Sequence, residues 1–292
     1  MPTTLPLPSS NALPEAARPG DARPAPSARA ELAELWQARE LLWAFVRNDL
    51  RVRYLGSSIG FFWTVVNPMV ELLTYTFVFN FVLGVTFHPS QNRGGYVLFL
   101  FCAMVSWNAF ADGAVRATTS ISQHAHLIRK LNFPAIVLPA HVVASAVVNQ
   151  CFRLFILMIG CILIGDGLTW HVLLVPIFVL IQATFTLGVG LLLSTLNVYF
   201  RDMSHWVNAG LMVAMFVTPV FYPASQYPRE FVLLLYPNPM AQLIGIFQGL
   251  ILNHHIPEAL TSLLYAGLAS IIALVVGASV FAHNRRTFAD LV

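Results

Sequence analysis

The chain has 292 residues, 57% of them apolar and only 10% charged, against about 45–50% and about 25% in ordinary soluble domains. Its net charge of +3 comes from 16 basic residues against 13 acidic ones. The basic residues are scattered at segment ends and form no dense run, which argues against nucleic acid as a partner. Cys102, Cys151 and Cys161 lie inside apolar stretches, without the C-x-x-C or Cys/His spacing of a redox or zinc site, and read as small core residues.

Residues 1–30 carry seven of the 18 prolines, mixed with Ala, Ser and Arg. Such a stretch buries too little apolar area to offset the entropy of ordering, so a disordered cytoplasmic tail is expected, with no cleaved signal peptide. From residue 31 to residue 54 the pattern becomes helical, with Leu32, Leu35, Trp36, Leu42, Trp43, Val46 and Leu50 on one face. Charges fill most of the rest, as in an amphipathic helix lying in the headgroup layer; a soluble helix packed on a partner would show the same pattern.

Residues 55–292 read as one domain of membrane-crossing helices, which need about 20 apolar residues each. The predicted spans are Ser57 to Gly84, Tyr96 to Val115, Phe133 to Ile164, His171 to Asn197, Met203 to Tyr222, and Ile256 to Ala282. A seventh apolar stretch, Phe231 to Leu252, is interrupted by Pro237 and Pro239, which remove backbone donors and divide it into arms too short to cross. Cytoplasmic loops are enriched in Lys and Arg. Six crossings with both ends inside put Arg47, Arg51, Arg53, Arg116, Arg129, Lys130, Arg201, Arg285 and Arg286 on that side and leave only Arg93 and Arg229 outside. The interrupted stretch is then a re-entrant helical hairpin on the outer face between spans five and six, where broken backbone packs on protein or lines a water-filled path. The expected fold class is therefore an all-α integral membrane protein.

No catalytic grouping emerges: the sequence has no G-x-S-x-G, H-E-x-x-H, EF-hand or phosphate-loop pattern. His124 with His126, and His254 with His255, lack a third ligand at metal spacing and read as polar loop residues. Two ionisable groups lie deep in spans, Glu71 midway through the first and Arg153 past the middle of the third. A lone Arg at the centre of a span costs about 2.5–3.5 kcal/mol on insertion scales. The two spans run in opposite directions, so an ion pair or shared polar network between Glu71 and Arg153 is predicted, either locking helices or serving translocation. The first span is rich in aromatics, including Trp63, Tyr75 and Phe77. Rings of this kind stack on sugar faces, and they also form the ordinary aromatic belt of membrane proteins. The loop from Arg116 to Asn132 carries His126, Leu127, Ile128, Arg129 and Lys130. A short helix there would offer Leu127 and Ile128 to a soluble partner, steered by the two cations; a solvated turn is the simpler alternative.

Five patches together resemble one family. They are Arg47-Asn48-Asp49-Leu50-Arg51-Val52-Arg53-Tyr54 with Ser58, Gly60, Trp63 and Pro68; Leu127-Ile128-Arg129-Lys130 with Phe133-Pro134; Asn197-Val198-Tyr199-Phe200-Arg201-Asp202; Thr218-Pro219-Val220-Phe221-Tyr222-Pro223; and Asn238-Pro239-Met240. In this order they resemble the ATP-binding-cassette type-two permeases that export O-antigen and teichoic acid, from about residue 31 to the end. The resemblance implies a homodimer above two copies of a separate ATPase subunit, which binds ATP and Mg; this chain itself holds no cofactor and no metal. It also implies that His126 to Lys130 form the coupling loop and that the first and fifth spans line the conduit. Trp63, Tyr75, Phe77, Phe216 and Tyr222 are then the conduit aromatics. The implied substrate is a polysaccharide on a polyprenyl diphosphate, with Arg51 and Arg53 as candidates to hold the diphosphate by guanidinium forks; positive-inside bias accounts for the same arginines. Ala135-Ile136 stand where the family often has a charged residue, and the Pro-rich tail is unmatched. The rival readings are a type-two exporter of drugs or small lipids and a membrane transferase acting on lipid-linked sugars.

Overall fold

The structure is a computed structural model and describes residues 27–54, 62–82, 84, 94–129, 133–165, 167–227, 230, 235, 237–253 and 259–291. The tail before residue 27, the start of the first predicted span, Lys130, the start of the predicted hairpin and the His254–His255 pair lie outside these residues. Among the described residues the chain is helical and contains no strand.

Helix α1 (Ala28–Gln37) starts three residues earlier than the sequence pattern suggests, because Ser27 caps it: its side chain accepts from Ala30 N at 3.3 Å. After a turn at Ala38 comes α2 (Arg39–Tyr54). Leu32, Leu35 and Val46 pack on the protein, whereas Trp36 and Trp43 are 74% and 54% exposed. The apolar face read from periodicity thus has one part packed on protein and another, the two tryptophans, left open. Helix α3 (Trp63–Tyr75) contains Pro68, runs on as a wider π-type turn over Thr76–Val82, and reaches less far than the predicted first span.

Helix α4 (Gly94–Gln123) passes the predicted end of the second span by eight residues and is buried over most of its length. The short α5 (Ala125–Ile128) follows, then α6 (Val137–Ile164), whose end is closed by Gly167 at φ 87° with its N–H on Cys161 O at 3.1 Å. Helix α7 (Val175–Tyr199) is preceded by one 3₁₀ turn, Trp170–Leu174. Helix α8 (Met203–Val217) stops before the predicted Tyr222, because Thr218 precedes Pro219 and takes the extended backbone that a following proline favours. Helix α9 (Pro239–Gln248) continues as a π-type turn over Gly249–Asn253, and α10 (Ala259–Leu291) completes the chain.

Among the described residues four segments are long and apolar enough to cross a bilayer: 95–123, 137–164, 170–199 and 261–288. At 1.5 Å per residue each reaches about 40 Å, beyond the ~30 Å hydrocarbon core. Their outward faces carry Phe155, Leu163, Leu180, Leu268 and Ile272, all well exposed. In water such a surface would drive aggregation; in lipid it is the solvated face.

Packing is organised around α4, which meets α6, α7, α8 and α9, while α7 and α10 pair along their length. That pairing depends on two glycines. A Cβ on Gly277 would lie 2.1 Å from Gly188 O, and one on Gly188 would lie 2.3 Å from the Ala273 carbonyl carbon. The cytoplasm-predicted ends are tied by polar contacts: Tyr199 Oη donates to Asn284 Oδ1 at 2.8 Å, and Arg285 holds Glu31 and Glu34 and reaches Phe133 O. At the opposite end of α8, Asn238 caps α9 by accepting from Met240 N (3.0 Å) and Ala241 N (3.3 Å) and donates to Thr218 Oγ1 (2.9 Å). Two of the sequence patches, around Thr218 and around Asn238, thus meet through one side chain.

Gly277→Ala should destabilise the protein by about 1–3 kcal/mol, the usual cost of overpacking, whereas Gly267→Ala, with open space at its Cβ, should be neutral or stabilising. Thermal unfolding of the detergent-solubilised variants checks this. Equal midpoints for the two would remove the close α7–α10 approach from the account.

Candidate functional site

Three helices each turn a polar stripe towards one hollow. On α3 the stripe is Trp63, Asn67 and Glu71, on α4 Asn108 and Asp112, and on α6 Asn149, Gln150 and Arg153. Spacings of three, four and eight residues place each set on one helical face. With Arg53 from α2 they line a cavity of about 400 Å³. A single water needs only about 10–15 Å³ by the same kind of measure, so this is room for a cluster of waters or a ligand.

In the wall, Arg153 Nη1 donates to Glu71 Oε2 at 2.7 Å, with side chains 22% and 29% exposed. The pair cancels two charges that hydrocarbon would penalise separately. Towards α2 a second neutral cluster forms. Arg53 Nη2 lies 2.8 Å from Asp112 Oδ2, Arg116 Nη2 lies 2.5 Å from Asp49 Oδ1, and longer contacts of 3.7 Å (Arg53–Asp49) and 3.5 Å (Arg116–Asp112) close the ring. Arg53 therefore already has two carboxylate neighbours, while Arg51 is exposed. A hollow of about 440 Å³ shares Arg53, Trp63, Asn67 and Asp112 with the first and extends to Arg116.

Behind the cavity runs an amide relay. Gln182 Nε2 donates to Ser106 O (2.8 Å), and Gln150 Nε2 donates to Gln182 Oε1 (3.0 Å). A carbonyl only accepts, so Ser106 O fixes the orientation of Gln182 and through it that of Gln150. Gln150 lines the hollow, and its buried Oε1 is left without a partner among the described residues.

The predicted aromatics are distributed over several surroundings. Trp63 lines the cavity, and Tyr75 packs half-buried against the cluster around α4. Phe77 and Phe216 are 61% and 56% exposed. Phe216 stacks on Phe221 at 5.4 Å, and the half-buried Tyr222 lies 5.9 Å from Tyr227 and donates to Phe216 O.

In the 116–132 loop, His126 and Arg129 are exposed and Leu127 is half-buried. Ile128 packs inward against the cluster of Ile121, Ile136, Leu191 and Phe281, so its apolar side chain serves this chain's own core. Ala135 and Ile136 belong to the same cluster and are buried, which accounts for apolar residues at those positions. Beside α5, Thr119, Gln123, Asn197 and Arg201 line a further hollow of about 450 Å³. The patch from Asn197 to Asp202 therefore adjoins the loop. Phe45 brings His124, Phe133 and His141 together at ring distances of 5.3–6.3 Å. Burial pushes the Glu31 carboxyl above its ordinary range, and the Arg285 charge pulls it back. Among the described residues no group of three or more His, Cys, Asp or Glu could hold a metal ion.

Sequence reasoning found Glu71 and Arg153 but missed Asn67, Asn108, Asn149 and Gln150. The available signal was the recurrence of amides at helical spacing inside apolar segments.

Lipid-facing helices around a charged, polar hollow are the build of a membrane permease. Residues 40–252 match the ABC-2 type transporter family, and the chain belongs to that family. It is 36% identical to the O-antigen export system permease protein RfbA of Myxococcus xanthus over 259 residues, 88% of this chain and 97% of that protein. It is 31% identical to the protein of the same name from Klebsiella pneumoniae over 86% of this chain and 95% of that one. The polysialic acid transport protein KpsM of Escherichia coli is more distant, at 18% over 82% and 91%.

Glu71→Gln and Arg153→Gln should each destabilise the protein, and the double substitution should cost less than the sum by about 1 kcal/mol or more, the scale of coupling between contacting groups. Chemical or thermal unfolding in detergent measures the cycle. Strict additivity would show that the two side chains do not support each other.

Proposed function

We propose that the chain is the transmembrane subunit of an exporter that moves a polyprenyl-diphosphate-linked polysaccharide, O-antigen or a related surface polymer, across the bacterial inner membrane. The observation that carries this reading is the match along 95–97% of the length of relatives named O-antigen export permeases. Energy comes from ATP and Mg on two copies of a separate ATPase subunit, beneath a homodimer of this chain. Nothing but lipid, substrate and these protein partners enters the scheme.

The topology proposed is six crossings with both termini cytoplasmic. Arg285 near the end of α10 reaches Phe133 O and the α1 carboxylates, so the two ends of the chain and the 124–133 loop share one face of the molecule, as an even number of crossings between them requires. Helices α1 and α2 serve as the interface helix, with Trp36 and Trp43 in the headgroup layer. Helix α9 and its π-type turn, 15 residues in all, span about 22 Å at helical rise. They follow the break at Pro237 and Pro239 and act as one arm of a re-entrant hairpin. The exposed aromatics of α3 and α8, with Trp63, Tyr75 and Tyr222, line the conduit between the two copies.

In each cycle the ATPase pair closes on ATP and moves α5 with His126, Leu127, Arg129 and Lys130. Ile128 transmits the shift into the cluster that holds α7 and α10. Arg51, exposed at the end of α2, is the better candidate for the lipid diphosphate, since Arg53 is already held between Asp112 and Asp49.

Deleting the gene should leave lipid-linked polysaccharide inside the cell and none on the surface, read by glycan immunoblot of fractionated membranes. Retention of a small lipid or drug instead would replace polysaccharide as cargo. Charge reversal at Arg129 and Lys130 should leave the permease in the membrane while lowering export at least tenfold; unchanged export would overturn the coupling role.

A further inference from the structure

The cavity between α3, α4 and α6 has a composition more specific than a hydrated void requires. Its charges cancel: Arg153 is paired with Glu71 and Arg53 with Asp112, so an anion gains no net attraction there. Its remaining polar lining is amide, from Asn67, Asn108 and Gln150 among others, with the Trp63 indole in the same wall. Amides both donate and accept, as sugar hydroxyls do, and an indole offers the flat apolar surface on which a pyranose ring stacks. The volume of about 400 Å³ falls in the range of small-molecule sites, about 300–1,000 Å³.

A second observation points to a donor-bearing ligand. Gln150 lines the hollow and is 1% exposed, its amide is oriented by the relay to Ser106 O, and its Oε1 is buried with no partner among the described residues. A buried acceptor left unmade costs about 1–3 kcal/mol, so the site favours a guest that brings a hydroxyl. A phosphate oxygen brings none.

The geometry points to a subsite for one neutral hexopyranose unit inside each protomer. Gln150 Oε1 accepts from a hydroxyl, the asparagine amides bond its neighbours, and Trp63 covers one face of the ring. The identification of the guest as part of the transported glycan rests on the export reading; the chemistry of the cavity does not. Each copy then grips the polymer within its own helices as well as along any path between copies.

The test uses the full permease–ATPase complex in nanodiscs and saturation-transfer NMR with methyl α-glucoside, methyl α-mannoside and methyl α-galactoside as probes. At least one should give a saturable signal that inorganic pyrophosphate does not displace. Asn108→Leu, which fills the hollow, and Gln150→Met, which removes the acceptor at similar size, should each weaken it tenfold or more. Phe155→Leu on the lipid face should leave it unchanged. No saturable signal from the wild-type complex, full retention in both cavity variants, or displacement by pyrophosphate would overturn the assignment. In parallel, the wild-type gene should restore surface glycan to the deletion strain. If it does and the sugar signal is absent, the cavity assignment alone fails; if it does not, the export reading fails.

Discussion

A charge cannot stay alone in hydrocarbon, and that constraint organises this protein. Glu71 on α3 and Arg153 on α6 satisfy it by meeting at 2.7 Å, which sets the rotation and depth of α3 against α6. Once those faces are turned inward, Asn67, Asn149 and Gln150 come with them, because they lie one turn away on the same helices. Helix α4 supplies Asn108 and Asp112 to the same space. A polar interior within a lipid-exposed bundle thus follows from one pairing repeated along three helical stripes.

The ends of the bundle are governed by different contacts. At the predicted outer end, the Asn238 cap and its bond to Thr218 join α9 to the segment leaving α8, and Tyr96 Oη adds a bond to Phe221 O at 2.7 Å. At the other end, Arg285 gathers Glu31, Glu34 and Phe133 O, so α1, the loop before α6 and the end of α10 move as one body. Between these ends most contacts are apolar and non-directional, apart from the Gly188–Gly277 approach. Such a layout confines specific geometry to the two faces and the cavity, which is where a transport cycle needs defined states.

Much of this was legible from the residues. Long apolar runs announce spans, and a glutamate and an arginine at similar depth in antiparallel spans have few partners but each other. What escaped has a physical reason in each case. Thr218 ends α8 early because of Pro219, a local rule that hydropathy ignores. Ile128 looked available to a partner, and it packs on a cluster drawn from α4, the segment just before α6, α7 and α10, which a single loop sequence does not reveal. The amides of the cavity were hidden because one Asn in an apolar helix is unremarkable; only their convergence in space makes a site. The comparisons with relatives then identified the family without reference to any of these residues.

The account stands or falls on both chain ends and the α5 loop facing the cytoplasm, where an ATPase can reach them. The direct measurement is labelling of single cysteines placed at Arg129 and Arg286 with a membrane-impermeant maleimide, in a background whose native Cys102, Cys151 and Cys161 have been replaced. Both positions should react in inverted inner-membrane vesicles and neither in intact spheroplasts. Reaction of either position in spheroplasts would contradict the account.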